Sequence, residues 1–299
     1  MRAHGHRGIV AASPAPPDDG SMSPAIVALV LCAAFMHAAW NALLKGGGDR
    51  LRAITLMSLA SGLAALPALL VLPLPAAAAW PALLLSAVIH VAYNLFLVLA
   101  YRHGDLGQVY PIARGSSPLL ITLAAGLVAG ERPGAAAFAG IVLVSAGIAS
   151  LSRGWSAGAS RTGMLAALAT GVLIAAYSVA DGIGGRLSGA PQAYAAWLFV
   201  IDALPMPLIF WAVRGWRAPL VDRSADTARA AFGGVVSLVA YAIVIVAASV
   251  APMGAVSALR ETSVVFAAVI GRVFLAERLT PARLASCAAV AAGAVLLGW

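Results

Sequence analysis

The chain has 299 residues, of which 62% are hydrophobic and 10% charged, with a mean hydropathy of +0.95 and a formal net charge of +8. Soluble domains carry about 25% charged residues, so this composition excludes an ordinary soluble protein. At roughly 20 apolar residues per membrane-spanning helix, the length accommodates about ten helices. It leaves no segment long enough to fold as a separate soluble domain.

Composition and spacing also exclude several kinds of chemistry. The basic residues are almost all arginines that lie singly in short connections, so we expect no nucleic-acid partner. Cys32 and Cys287 lie in separate apolar runs, and no His, Cys and carboxylate set has metal-ligand spacing. The sequence has neither a hydrolase-like Ser, His and acid set nor a nucleotide-binding loop. We therefore predict no enzyme activity, no metal and no cofactor.

In chain order, residues 1–22 are polar and contain several Pro and Gly, which predicts a disordered tail. Ten apolar segments follow, joined by short polar connections, and each is long enough to predict a helix. Four of the predicted helices start at or beside a proline, a position that tolerates the missing N–H. The predicted helices span 24–44, 52–72, 81–101, 107–129, 134–151, 162–182, 192–213, 230–250, 254–275 and 281–298.

An internal repeat divides the chain. When the chain is shifted by 146 residues, residues 114–117 align with residues 260–263, and both stretches begin with Arg and end with Ser. Glu131 then aligns with Glu277. The repeat predicts two units, 23–152 and 160–299, of five helices each. Because five is odd, the second unit would enter the membrane from the opposite side. We therefore predict an all-α integral membrane protein with ten transmembrane helices in two inverted repeats.

Three short motifs carry a family resemblance. His37-Ala-Ala-Trp40-Asn41, followed by Lys45, lies at the end of the first helix, and Gly-Glu-Arg at 130–132 and Ala-Glu-Arg at 276–278 follow helices four and nine. With these motifs, the chain after residue 22 resembles EamA-type members of the drug/metabolite transporter superfamily. The resemblance implies a basket of ten helices that moves small metabolites by alternating access. It also implies a central cavity lined mainly by helices one, three, four, six, eight and nine.

The basic residues give an expectation for orientation. Four lie on one predicted side of the membrane and twelve on the other. The positive-inside rule places the richer side in the cytoplasm and both termini outside. Many relatives of the resembled family are expected to have cytoplasmic termini, and many carry basic residues between helices two and three, where this chain has none. Both orientations therefore stay open.

Arg114 and Arg260 lie about seven residues inside helices four and nine, where a charge costs at least about 2.5–3.5 kcal/mol. Each could serve packing by snorkelling or by bonding backbone carbonyls. The repeat places both near one axis, with Ser117 and Ser263 as hydrogen-bond donors, and this favours a substrate-binding site. Glu261 is the candidate proton-coupling group, because it either pairs with Arg114 across the axis or faces a neighbouring helix. A purely structural ion pair is the alternative.

A second polar stripe lies on helices one and three. His37 and Asn41 are four residues apart, and His90, Tyr93 and Asn94 share one helix face. In lipid such faces must turn inward. We expect these five side chains to bind substrate, with hydrogen-bonded packing of the histidines as the alternative.

The remaining candidates are aromatic or acidic. Trp40, Tyr177 and Tyr241 are predicted to form the cavity wall. Asp202 is expected to have a structural role outside the cavity. The glutamates of the two Glu-Arg motifs, Glu131 and Glu277, are expected to begin helices five and ten rather than to contact substrate.

These features predict a secondary transporter, an exporter, of amino acids or organic anions in a bacterial-type inner membrane. Two arginines and one glutamate leave about one positive charge in the core, so we predict an anionic substrate, with protons as the expected coupling ion. If Asp202 neutralises one arginine, a zwitterionic or uncharged metabolite fits equally well. The alternative function is a non-transporting membrane subunit or sensor.

Overall fold

The computed structural model describes residues 22–43, 49–103, 106–152, 161–274 and 279–298, all of them in helices or short connections. The predicted tail lies outside these residues except for Met22. Within the described residues, the first five apolar segments each form one helix. These helices are α1 (Pro24–Leu43), α2 (Arg50–Val71), α3 (Trp80–His103), α4 (Leu106–Val128) and α5 (Ala135–Ala149).

In the second part of the chain, the described residues form seven helices from the five predicted segments. These are α6 (Arg161–Leu187), α7 (Pro191–Asp202), α8 (Pro205–Arg214), α9 (Ala225–Val250), α10 (Met253–Arg260), α11 (Ser263–Phe274) and α12 (Pro281–Leu297). Two boundaries differ from the prediction by five residues, and the others lie within two residues of it. Helix α6 continues to Leu187 instead of ending at 182, and α9 begins at Ala225 because the Ser224 hydroxyl caps it by accepting from Thr227 N at 3.2 Å.

Two predicted helices are broken within the membrane region. The break between α7 and α8 precedes Pro205, which has no N–H to continue the helical hydrogen bonds. The break between α10 and α11 falls at Glu261 and Thr262. There the Thr262 hydroxyl donates to the carbonyl of Leu259 at 2.7 Å. Sequence periodicity predicts both segments as continuous, because each stays apolar on either side of its break.

The described helices have the length and composition of membrane spans. With each broken pair counted once, nine of the described segments are long and apolar enough to cross a bilayer. Helix α12, with 17 residues, is shorter. At 1.5 Å per residue it is about 26 Å long, near the lower limit for a span. Large apolar side chains such as Leu70 and Leu127 are 88% and 87% exposed, as expected for a lipid-facing surface.

At each end of the bundle, polar contacts join residues in or beside different connections. At the end that we name end A, Ala76 N donates to the carbonyl of Ser188 at 3.0 Å, which joins the α2–α3 and α6–α7 connections. At the opposite end B, Arg52 donates to the carbonyl of Leu220 at 3.0 Å. Also at end B, Arg214 pairs with Asp49 at 2.8 Å. With each broken pair counted once, the ends of the described helices alternate between end A and end B.

Glycines allow close helix packing at two places. Helices α5 and α12 approach where a Cβ on Gly140 would lie 2.8 Å from the carbonyl oxygen of Gly293. Helices α2 and α9 approach at Gly234, where a Cβ would collide with the backbone of Met57. Small residues permit such close backbone approach in membrane bundles, where packing supplies much of the helix association.

Gly234→Ala is expected to destabilise the bundle by about 1–3 kcal/mol, because the added methyl group forces α2 and α9 apart. Gly185→Ala is the control, since a Cβ there has ordinary contacts of 3.4–3.6 Å. The free energy of unfolding of both variants can be measured by denaturant titration in mixed micelles. Equal stability of the two variants would contradict this account of the α2–α9 packing.

Candidate functional site

A cavity of about 910 Å³ occupies the centre of the bundle. Its lining includes Asn41 at the C-terminal part of α1, Arg50 at the start of α2, and Arg283 in the first turn of α12, all near end B. At its inner part the lining reaches Arg114 and Arg260. Within the described chain, no residue of the end A connections lines it. In the part of the chain that the structure describes, the cavity therefore extends to end B and is closed toward end A.

Most of the predicted site residues line this cavity. Ser117 and Glu261 are the two that do not, since both are fully buried in the described bundle. The Ser117 hydroxyl donates to the carbonyl of Arg114 at 3.0 Å, within its own helix. The predicted residues in the lining are His37, Trp40, Asn41, His90, Tyr93, Asn94, Arg114, Tyr177, Tyr241, Arg260 and Ser263.

Arg114 and Glu261 form a buried ion pair at the inner end of the cavity. Arg114 Nε donates to Glu261 Oε2 at 2.9 Å, and the two side chains are 6% and 0% exposed. Of the two sequence-based alternatives for Glu261, the structure has the pair across the axis. Each charge compensates the other. An isolated charge at this depth would be costly.

Arg260 is the second buried cation, and its environment differs. Its Nη2 lies 3.5 Å from Glu261 Oε1, a distance too long for a good hydrogen bond. Among the described residues, its Nε and Nη2 atoms have no hydrogen-bond partner. Because Arg260 lies at the C-terminal end of α10, the helix dipole favours its charge. Its buried N–H groups are thus free to receive an acceptor from the cavity.

A third polar group combines His90 and Asp202. His90 Nδ1 lies 3.1 Å from Asp202 Oδ2, and both side chains line the cavity. The expectation that Asp202 lies outside the cavity is therefore wrong. The physical reason is the helix break, since α7 ends at Asp202. The other carboxylate oxygen, Oδ1, is buried and has no hydrogen-bond partner in the described part of the chain.

Asp181 is a buried carboxylate that the sequence reading missed. It is 1% exposed and accepts hydrogen bonds from the hydroxyls of Tyr194 at 3.0 Å and Tyr241 at 2.6 Å. Asp181 lies one residue before the predicted end of its helix at 182, and the sequence analysis assigns it no role. The continuation of α6 to Leu187 moves it inside the bundle. A carboxylate in an apolar run, five residues before an arginine, was the available signal.

Aromatic rings form the wall between these polar groups. The Tyr177 ring lies with its centroid 4.1 Å from that of His90, 5.5 Å from that of Tyr93 and 5.9 Å from that of Tyr241. Trp40 contacts His37 edge to face at 5.1 Å. These rings give the cavity apolar walls with a few fixed polar groups, the usual composition of a small-molecule site.

Glu131 has a different role from the predicted one. It does not cap α5, since Gly134 is the N-cap there and makes no side-chain cap hydrogen bond. Glu131 instead pairs with Arg186 and accepts a hydrogen bond from Met253 N at 2.9 Å, so it caps α10. The side chain was assigned to the wrong helix because the N-terminus of α10 is distant in sequence. The companion prediction for Glu277 lies outside the described residues.

The apolar spans and the polar cavity together define a multi-pass integral membrane protein with an internal site of metabolite size. A family model, the EamA-like transporter family, matches residues 24–153 and again 161–299. The chain therefore belongs to the EamA-like transporter family, in agreement with the resemblance of its motifs, and is a membrane transporter of the drug/metabolite transporter type.

Two further comparisons concern solved structures and curated proteins. A solved crystal structure, described only as that of a protein, has a TM-score of 0.71 and 21% sequence identity over 91% of this chain and 94% of the other. At this identity the likeness shows the fold alone. A search among curated proteins gave no match.

Glu261→Gln is expected to reduce the free energy of unfolding by about 3–5 kcal/mol, because it leaves two buried guanidinium groups without a carboxylate. Arg114→Gln should reduce it by less, because Arg260 stays 3.5 Å from the Glu261 carboxylate. The double variant should lose less than the sum of the two. The exposed Arg214–Asp49 pair, with side chains 44% and 36% exposed, serves as control, and its coupling should stay below about 1 kcal/mol. Additive effects at Arg114 and Glu261 would contradict a coupled pair.

Proposed function

We propose that the protein is a secondary active exporter of a small metabolite with an anionic group, such as an amino acid or an organic anion, in a bacterial-type inner membrane. The observation that carries this proposal is Arg260, a buried guanidinium in the cavity lining whose Nε and Nη2 atoms have no hydrogen-bond partner in the described chain. A planar guanidinium suits bidentate binding of a carboxylate.

The distribution of charge supports an anion at this position. Glu261 is hydrogen-bonded to Arg114, so Arg260 shares a single carboxylate with a second cation. Asp181 accepts from two tyrosines and Asp202 pairs with His90, and in the described structure neither forms an ion pair with Arg260. A substrate carboxylate would therefore supply the acceptor that Arg260 lacks. Because Asp181 and Asp202 can attract a cationic group, a zwitterionic substrate also fits this proposal.

The proposed mechanism is alternating access between two inverted five-helix repeats. The structure has the cavity accessible from end B, and the opposite state would close end B and open end A. Glu261 is the proposed proton-coupling group. Its protonation state and the occupancy of Arg260 by an anion change the charge of the same buried site, and this links the two equilibria.

Arg260→Lys is expected to weaken substrate binding by about 1–3 kcal/mol, because lysine keeps the charge and loses the planar pair of donors. A panel of amino acids and organic anions in proteoliposomes first identifies the substrate, and its affinity is then measured for each variant. Arg132→Lys, an exposed position at end A, is the control and should bind normally. Unchanged affinity in both Arg260→Lys and Arg260→Gln, or a purely cationic substrate, would refute the proposed anion site.

Glu261→Gln is expected to abolish proton-driven accumulation while substrate exchange across the membrane continues. The glutamine cannot bind and release a proton, yet it keeps an oxygen that accepts from Arg114. Both activities are measured in the same proteoliposomes, with and without an imposed pH gradient. Normal accumulation in this variant would remove Glu261 from the coupling mechanism.

A further inference from the structure

A small recess lined by both apolar and polar side chains continues from the inner end of the cavity toward end A, between α6, α9 and α10. It shares Arg260 and Tyr241 with the main cavity, and Ser178, Asp181 and Ser257 also line it. Its volume is only about 10 Å³, against about 910 Å³ for the cavity. That is about the space of one water molecule. The recess is therefore a narrow extension of the cavity that is too small for a metabolite.

The recess contains buried polar groups that the described bundle leaves without hydrogen bonds. Ser178 Oγ and Ser257 Oγ have no partner in the described chain, and neither do Nε and Nη2 of Arg260. Ser257 and Arg260 are 4% and 5% exposed. Leaving such groups unpaired costs free energy. Apolar residues would therefore be expected here if this region only served to keep the cavity permanently closed.

Arg186 and Glu131 lie on the end A side of this recess, and we name this pair the latch. Arg186 donates from Nε to the carbonyl of Ala248 at 3.1 Å and from Nη2 to the carbonyl of Ala251 at 2.9 Å. Its Nη2 also pairs with Glu131, whose other carboxylate oxygen accepts from Met253 N at 2.9 Å. The latch thus connects the α4–α5 connection and the end of α6 with the α9–α10 connection.

The latch and the recess share residues. Ala248 and Met253 line the recess, and both are bonded through their backbones to the latch. The Arg186 and Glu131 side chains are 19% and 8% exposed, so the pair is largely shielded from solvent. Helix α10 has eight residues and is separated from α11 by the break at Glu261 and Thr262. It can therefore move at its latched end without moving α11.

We infer that the transported molecule leaves the cavity toward end A through this recess, and that the Glu131–Arg186 latch keeps the route closed in the state described. The inference rests on the proposed transport function. When the latch breaks, the N-terminal end of α10 separates from α6 and α9, and the recess widens around Arg260. The hydroxyls of Ser178 and Ser257 then become accessible from end A.

Cysteine accessibility tests the latch without a known substrate. Ser257→Cys is introduced into a chain that carries Cys32→Ala and Cys287→Ala, and a membrane-impermeant maleimide is added to vesicles of each orientation. In this parent, labelling from end A should be slow. Glu131→Gln and Arg186→Gln should each increase its rate at least about tenfold, the scale of one lost charge-assisted hydrogen bond.

Two comparisons make this test specific. Arg132→Gln removes an exposed charge next to Glu131 and should leave the rate at position 257 unchanged. A second reporter, Ser58→Cys, lies in the lining of the main cavity and should be labelled from end B more slowly in the latch variants. Faster labelling at both positions would overturn the inference, because it would indicate general loosening of the bundle.

The double variant Glu131→Arg with Arg186→Glu should not restore closure. The carbonyls of Ala248 and Ala251 need a donor and Met253 N needs an acceptor, and the exchanged side chains offer the reverse. Restored slow labelling would contradict the latch. Unchanged labelling with normal transport overturns the latch alone. Increased labelling in a protein that transports nothing in the panel supports the latch and removes the proposed function.

Discussion

Glu261 lies between two cations in the interior of the bundle, and much of the site is arranged around this contact. Its carboxylate accepts from Arg114 at 2.9 Å and lies 3.5 Å from Arg260, with no exposure to solvent. A bilayer offers no water to compensate a charge, so every charged group here needs a partner within the protein. One carboxylate compensates two guanidinium groups incompletely. The proposed anion site at Arg260 depends on that imbalance, and the carboxylate involved belongs to the proposed proton-coupling group.

The two helix breaks bring charged groups to the cavity. Asp202 ends α7 and Arg260 ends α10, so both lie at the C-terminal end of a half-helix inside the membrane region. Such ends carry unpaired carbonyl groups, and irregular backbone in a membrane is tolerated where it is buried in protein or lines a cavity. Broken helices of this kind form the substrate and ion sites of many secondary transporters. At each of these two breaks, the residue directly before the break contributes its side chain to the cavity lining.

The sequence predicts the helices, and most of the site residues that it predicts do line the cavity, because lipid constrains both directly. Apolar run length determines the spans, and the i, i+3, i+4 spacing of His90, Tyr93 and Asn94 determines which face turns inward. The positions of Asp181 and Asp202 were not predictable in this way. One depends on how far α6 extends beyond its apolar core and the other on a break before a proline. Glu131 was assigned to a neighbouring helix because its partners, Arg186 and Met253, are joined to it only by tertiary packing.

Arg260 lies where the large cavity and the small recess meet, and this position is the central feature of the site. A carrier needs a binding group that can be reached from either side of the membrane but never from both at once. In the state described, the guanidinium faces about 910 Å³ of space on the end B side and about 10 Å³ on the end A side. In the proposed mechanism, a movement of the N-terminal end of α10 changes that ratio while Arg260, at the other end of the helix, moves less. Three features of the structure act on helix α10, the eight residues from Met253 to Arg260. The Glu261 carboxylate lies beside Arg260, the helix break follows Arg260, and the latch holds Met253 through Glu131.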